Sequence, residues 1–232
     1  MAIRPVFIPS SLEDTFVKEI PIEFTWYSGL SKVQAQKSIV SLHTEAAKKN
    51  IWPILEISSK SVSHLGISLS AFNLMLEVAL PSQERKLSVE CAYQGSKVFA
   101  SGGPYTDLYY VSSRDAKVDE RLRSSGHFVK YSFFGEDFPC QPVTAFYDWL
   151  YLQALSQNTS LSEQLFEFQG FSDIAFNPAK SLNCQARAAA LFVALARYKH
   201  LEQVLADKNY YLALVSGREV KIKDQQLLLD LQ

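Results

Sequence analysis

The chain has 232 residues, 47% hydrophobic and 20% charged, enough to bury one sizeable core and too apolar for a disordered tail. A formal net charge of -1 excludes the global positive field that drives sequence-independent binding to duplex DNA or anionic lipid, so any nucleic-acid contact has to be local. The amino terminus lacks the layout of a signal peptide, and the most apolar stretch, Ala188 to Ala196, is far shorter than the ~20 residues of a bilayer span. Cys91, Cys140 and Cys184 form no CxxC pair, which suits a reducing cytosol and gives no metal framework. The expectation is a cytoplasmic protein without membrane contact.

In chain order, residues up to about Glu23 read as an extended lead-in, because Pro5, Pro9 and Pro21 each remove a backbone donor; Val17 to Phe24 alternates like a strand. Ser31 to Lys48 reads as an amphipathic helix capped by Ser31, with Val33, Ile39, Val40, Leu42 and Ala46 as its apolar positions. Trp52-Pro53 ends it. Ile54 to Ile57 predicts a short strand running into the polar loop Ser58 to His64, the first place to look for chemistry. Leu74 to Val78 predicts a strand, although periodicity over Ser70 to Leu80 fits a helix as well. Pro81 to Lys86 reads as a polar turn. Ser88 opens a helix to about Ala100, closed by Gly102-Gly103-Pro104.

Ser112 to Arg123 is a charged helix with Ser112 and Asp115 spaced as in a capping box. Gly126 to Pro139 reads as a hairpin or loop with alternating Phe128, Lys130, Tyr131 and Phe133. Thr144 to Gln157 and Leu161 to Phe168 predict helices separated by a break at Asn158-Thr159-Ser160. The longest helix is expected from Cys184 to Ala206, with Ala189, Val193, Ala196 and Leu201 inward. A last hairpin is expected from Tyr210 to Leu214 and Val220 to Lys223, turning at Ser216-Gly217. There is no internal repeat.

Ser88 to Phe99 carries the most chemistry. Helical rotation of ~100 degrees per residue puts Glu90, Gln94 and Lys97 within roughly 60 degrees of one another, a polar stripe on an otherwise apolar or small-residue helix. Behind a Ser88 cap, Glu90 falls in the first turn, where a charged carboxylate suits stabilising a cation or orienting water more than acting as general acid. The ordinary alternative is a surface ion pair between Glu90 and Lys97.

The string SVECAYQGSKVF resembles the Ser/Thr-x-Glu-His-aromatic-aromatic-Gln-x-x-Lys helix of the NADAR superfamily, the YbiA-like proteins. Further blocks follow in the order of that family. GISLSAF, Gly66 to Phe72, resembles the loop before that helix, and Ser112 to Arg123 the helix after it. Tyr147-Asp148-Trp149 resembles the family's Asp-Trp, and Ser181-Leu182-Asn183 with Ala186-Arg187 the block that opens the final helix. The similarity spans most of Ile54 to Leu195. It has departures: Cys91 replaces the common His, Ala71 stands within the Ser-Asn-Phe loop with Asn73 displaced, and glycines before the last helix are missing.

RPVFIPS at the amino terminus and LEISSKS before the loop resemble the branch found beside DarT-type DNA ADP-ribosyltransferase toxins. The resemblance implies an α+β, helix-rich single domain with a small antiparallel sheet, residues 1–50 being an N-terminal extension and helix packed on a catalytic unit over 51–232. It also implies an antitoxin enzyme, working without metal or redox cofactor, that removes ADP-ribose from guanine bases in single-stranded DNA. Its partners would be ADP-ribosylated DNA, ADP-ribose and a DarT-type toxin.

Cleaving an N-glycosidic bond passes through an oxocarbenium-like state, which needs a carboxylate near the anomeric carbon, a donor for the departing nitrogen and an aligned water. Glu90, Lys60 and Asp148 are the catalytic candidates. Gln94, Lys97, Trp149, Asn183 and Phe72 are the substrate-binding candidates, Lys97 for a diphosphate or, like Lys60, for attack on an opened ribose. Trp149 offers a stacking face and Asn183 a polar group at a helix start. Each has a plainer role to set beside this: Trp149 in the core, Asp148 and Asn183 as helix caps, Lys60 as a solvated loop lysine. His43, His64, His127 and His200 show no zinc spacing, and Cys91 reads as a helix-buried thiol. Two alternatives remain: an N-glycosidase for a small molecule such as a riboflavin intermediate, and a non-catalytic protein that binds ADP-ribose or the toxin. Lys117, Arg121, Arg123 and Arg187 are the cations that a DNA substrate would meet.

Overall fold

Prolines do not keep the lead-in out of a sheet. In the computed structural model, which describes residues 1–12, 15–29, 31–80, 83–179 and 181–216, β1 (Ala2–Pro9) and β2 (Val17–Phe24) pair antiparallel along their full length. Pro5 lies opposite Pro21, so the two residues that cannot donate share one level of the ladder. Helix α1 (Lys32–Ala47) starts where the Ser31 hydroxyl accepts from the Gln34 amide. Ile39, Leu42 and Ala46 are buried against Val6, Ile22 and Phe24 of the hairpin. Val33 and Val40, expected with them, are exposed, because a seven-residue step keeps those two together and about 100 degrees from Ile39.

Strand β3 (Ile54–Glu56) is buried at every position. It runs parallel to a three-residue strand near the far end of the chain, Gly170–Ser172, which also pairs with β1 and completes the order β2, β1, β9, β3 once numbered β9. Three residues without alternation gave no strand signal there. The short helix α2 (His64–Ser68) follows. A Cβ on Gly66 would stand 1.9 Å from the Glu56 carbonyl oxygen and 2.6 Å from Ser61 Oγ, so only glycine lets α2 close over the end of β3.

Of the span Leu74 to Val78, all but Leu74 forms strand, within β4 (Met75–Leu80), and the segment expected as a turn is largely its partner, β5 (Gln83–Ser88). Leu76 faces Leu87 across this hairpin, both buried, and that pairing overrides the polar composition. Helix α3 (Val89–Gly95) is capped by Ser88 as expected, its hydroxyl accepting from the Cys91 amide, but stops well before Ala100. A Cβ on Gly95 would meet the Tyr109 ring at 2.4 Å. After Ser96 the chain becomes β6 (Lys97–Phe99), paired with β7 (Phe128–Phe133). Gly102-Gly103 therefore closes a tight turn after a strand, with the Phe99 amide bonded to the Gly102 carbonyl at 2.7 Å.

The charged helix is divided into α4 (Ser113–Val118) and α5 (Arg121–Ser124), with Ser112 capping the first. The break is at Asp119, whose carboxylate accepts from the Arg121 backbone amide and from its guanidinium, both at 2.9 Å. β7 and β8 (Glu136–Phe138) form the expected hairpin. Helix α6 (Ala145–Gln157) is followed by α7 (Thr159–Ser162), which tightens into a 3-10 turn over Glu163–Glu167.

The long final helix is in fact α8 (Gln185–Arg197) and α9 (Leu201–Ala206), separated where Lys199 takes a positive φ of 60 degrees. Tyr210 to Leu214 is not a strand but lies in α10 (Lys208–Val215), with Asp207 accepting from the Asn209 and Tyr210 amides. Val220 to Lys223 lies outside the described residues. The alanines 188, 189, 190 and 194 are buried; their small side chains let α8 sit centrally against α6, β1 and β9. The architecture is a single α+β domain of helices around small, mostly antiparallel sheets. Among the described residues no helix is long and apolar enough to cross a membrane.

Candidate active site

Helix α3 ends in a cavity of about 490 Å³. Its first amides are spent on the preceding turn, Val89 on the Leu74 carbonyl at 3.0 Å and Glu90 on the Ala71 carbonyl at 2.9 Å. That turn, Ser70 to Phe72, forms a second wall, the loop after β3 with Ser58 and Ser59 a third, and the segment from Asp173 to Gln185 a fourth. Lys117 of α4 and Tyr147 of α6 complete the lining.

Glu90, Gln94 and Lys97 all line this cavity and form one chain of polar contacts. Gln94 Nε2 donates to Glu90 Oε1 at 2.9 Å, and Lys97 Nζ donates to Gln94 Oε1 at 2.7 Å. Glu90 is 5% and Gln94 7% exposed, so the stripe faces inward and is no surface ion pair. It survives the early end of α3 because Lys97 comes back from β6. The Lys97 ammonium lies 4.4 Å from the centre of the Tyr93 ring, a cation on a π face. Burial lowers the Lys97 pKa to about 8, the Glu90 carboxylate opposing and the Lys117 charge reinforcing that shift.

Asn183 also lines the cavity; its Nδ2 donates to the Tyr93 hydroxyl at 2.6 Å. Its Oδ1 and the Ser70 hydroxyl are buried and have no hydrogen-bond partner among the described residues. Two unsatisfied polar atoms on separate walls of one cavity suit a hydroxyl-rich ligand. Phe72 lines the wall as expected, with the Lys117 ammonium 5.0 Å from its ring centre.

Three of the sequence candidates are not part of this wall. Asp148 is 2% exposed on the other side of α6, and its Oδ2 is held by Arg187 Nη1. Burial raises the Asp148 pKa while the Arg187 charge pulls it down. Trp149 is partly buried and packs against Phe133 and Phe138 at the edge of the core, ring centres 6.3 and 4.9 Å away, and does not line the cavity. Lys60 sits one residue beyond the Ser58–Ser59 wall; its amide donates to Ser58 Oγ at 3.2 Å, and its side chain does not line the cavity. Of the four cations considered for DNA, Lys117 alone lines the cavity. Arg121 is paired with Asp107 and Asp119, and Arg187 with Asp148. The Cys91 thiol, as expected for a helix-buried cysteine, is enclosed and donates to the Val111 carbonyl at 3.4 Å.

The sequence reading missed a second carboxylate on the cavity and a third behind it. Asp173 follows β9, its Oδ1 accepting from the Ala175 amide at 3.0 Å and its Oδ2 from Gln185 Nε2 at 3.0 Å. Burial pushes its pKa up to about 6. Glu56 of β3 is enclosed entirely, accepting from Ser58 Oγ at 2.7 Å, Ser172 Oγ at 2.6 Å and the Ile174 amide at 2.9 Å. Desolvation, reinforced by the neighbouring Asp173, outweighs those three donors and pushes Glu56 up to about 8. His43 of α1 meets Ser172 Oγ at 2.8 Å from the far side, and burial drops its pKa to about 4. The available signal was Glu56 itself, a charged residue inside the apolar run Ile54 to Ile57.

No curated protein matches the chain. The family model for the DarT1-associated NADAR antitoxin matches residues 2–225, nearly the whole sequence and with it every wall of the cavity. On that match the chain belongs to the family of DarT1-associated NADAR antitoxins.

Proposed function

We propose that the chain is an N-glycosidase that releases ADP-ribose from guanine bases of DNA and so reverses the modification made by a DarT1 toxin. The observation that carries this reading is that Glu90 and Asp173 line the same cavity, together with two lysines and two unsatisfied polar atoms. In the reaction the bond from the anomeric carbon to the base nitrogen breaks, water adds its oxygen to that carbon, and a proton goes to the departing nitrogen. Glu90, with Oε1 fixed by Gln94, supports the cationic sugar and orients the water. Asp173, whose raised pKa lets it hold a proton in mildly acidic conditions, supplies the departing nitrogen. Lys97 and Lys117 meet the diphosphate, and Asn183 and Ser70 the ribose hydroxyls.

Glu90→Gln keeps the acceptor for Gln94 and removes the charge. Turnover on an ADP-ribosylated guanine oligonucleotide is expected to fall by about 100-fold or more, measured as free ADP-ribose, with an unchanged melting curve. Undiminished release removes Glu90 from the mechanism. A wild-type chain that binds the modified oligonucleotide stoichiometrically and frees no ADP-ribose makes it a binding antitoxin instead. The ion pairs that occupy Arg121 and Arg187 favour a second substrate class, a small N-glycoside such as a riboflavin intermediate. A rate on DNA that falls with salt, alongside an insensitive rate on a nucleoside, decides for DNA.

A further inference from the structure

Beside the reaction cavity lies a second compartment of about 330 Å³ that none of the proposed chemistry uses. The two share Tyr93, Lys97, Leu182 and Asn183, so these four residues form a neck between them. Beyond the neck the walls change character. Phe99, Phe128 and Tyr131 come from the β6–β7 sheet, Leu122 from α5, and Gln141 and Val143 from the segment before α6. The rings of Phe128 and Tyr131 lie 4.7 Å apart and those of Phe99 and Phe128 5.9 Å apart, all inclined to one another. Among the described residues no carboxylate lines this compartment. It is an aromatic slot that borders the polar reaction chamber at four shared residues, one of which carries an ammonium group.

We propose that this compartment binds the adenine ring of the ADP-ribosyl group. The inference rests on the N-glycosidase reading of the first cavity and extends it to the rest of the substrate. The order of groups in ADP-ribose is reacting ribose, diphosphate, second ribose, adenine. With the reacting ribose at Glu90 and Asp173, the next group to reach the neck is the diphosphate. Lys97 stands there, its ammonium shared between Gln94 Oε1 and the Tyr93 face, and an ammonium has three donors to distribute. What emerges past Lys97 is the adenosine end. A flat, weakly polar heteroaromatic ring suits inclined aromatic walls. Gln141, exposed, carries the one side-chain amide besides Asn183 among the described residues of this wall, and a Gln amide matches the N6 and N7 edge of adenine as donor and acceptor together.

The test is titration calorimetry of free ADP-ribose against the full chain, with ribose 5-phosphate as the probe that lacks adenine. Val143 lies at the compartment's edge and is 36% exposed, so Val143→Trp narrows the slot from a position that tolerates bulk. The variant is expected to weaken ADP-ribose at least about tenfold while ribose 5-phosphate binds as before. Gln141→Ala, at an exposed position, gives an independent arm: the wild type favours ADP-ribose over its hypoxanthine counterpart several-fold, and the variant loses that preference. Unchanged ADP-ribose affinity in Val143→Trp overturns the assignment. If that variant keeps its ADP-ribose affinity but shows a raised KM on the modified oligonucleotide, the slot holds the base on the DNA side and the assignment is also overturned. A wild-type chain that binds no ADP-ribose removes the hydrolase reading together with the slot.

Discussion

Asp148 and Glu90 both hang from the inner side of a helix, 2% and 5% exposed. Yet one is closed to chemistry and the other open to it. Asp148 meets a guanidinium, Arg187, that itself is largely buried, and the pair faces packed side chains. Glu90 meets a neutral amide on one side and a cavity on the other. A buried carboxylate that already has its cation is held structurally, because the Coulomb attraction offsets the desolvation, and Asp148, although its Oδ1 has no hydrogen-bond partner among the described residues, does not line the reaction cavity. One anchored only by a neutral donor retains the capacity to stabilise a positive centre that arrives later. Glu56 is a third case, with neutral donors alone and no cavity, where the balance tips toward holding a proton.

The largest effect expected from breaking this contrast is on stability at the closed pair. Arg187→Met leaves Asp148 buried without its cation and is expected to cost about 3–5 kcal/mol, read as a displaced midpoint in a denaturant titration. A loss below about 1 kcal/mol would show that the pair is no more than a surface ion pair. Next comes Glu90→Gln, whose hundredfold loss of turnover corresponds to about 2.7 kcal/mol of transition-state stabilisation with no matching loss of fold. The two variants should therefore separate cleanly, one losing stability and the other rate. If both lose stability alone, the open site is open in appearance only.

Lys97→Met tests the chain that links Glu90 to the neck. It is expected to raise KM for the modified oligonucleotide about tenfold, since the lysine meets a group that is charged before and after reaction. An equal fall in kcat with KM unchanged would move Lys97 from binding into the chemical step.

A separate effect, visible only in the pH dependence of stability, concerns Glu56. Its pKa rises from an ordinary 4.5 to about 8 on folding, and Asp173 moves in the same direction. Between those values the unfolded chain has released the Glu56 proton and the folded chain still holds it. The stability this contributes is present below the ordinary carboxylate range and is lost as pH climbs through about 8. Glu56→Gln removes the slope, so its melting temperature should improve relative to wild type from about pH 5 to about pH 8.5. A difference that stays flat across that range means that Glu56 is ionised throughout.

Local chemistry made several of these parts legible in the chain itself. Ser31, Ser88 and Ser112 cap helices where short polar side chains precede helical runs, because capping is decided within three or four residues. The stripe of Glu90, Gln94 and Lys97 was legible for a similar reason, although Lys97 arrives from a strand. Gly66 and Gly95 were not informative alone; what they avoid, the Glu56 carbonyl and the Tyr109 ring, comes from elsewhere in the chain.

By itself, then, the sequence determined most element identities, the caps and the polar stripe that holds Glu90, which follow from period, propensity and residues close along the chain, while the α+β class was implied by the family resemblance of its motifs. Tertiary structure alone decided that Asp148 goes to Arg187 and Trp149 to the edge of the core, that Gly170–Ser172 joins β1 and β3, and that Asp173 and Glu56 come to stand beside and behind the cavity. Those outcomes depend on partners up to more than a hundred residues away, such as Ser172 and Glu56. A side chain's spacing along one element carries no information about which distant group will neutralise it, bury it or leave it facing open space.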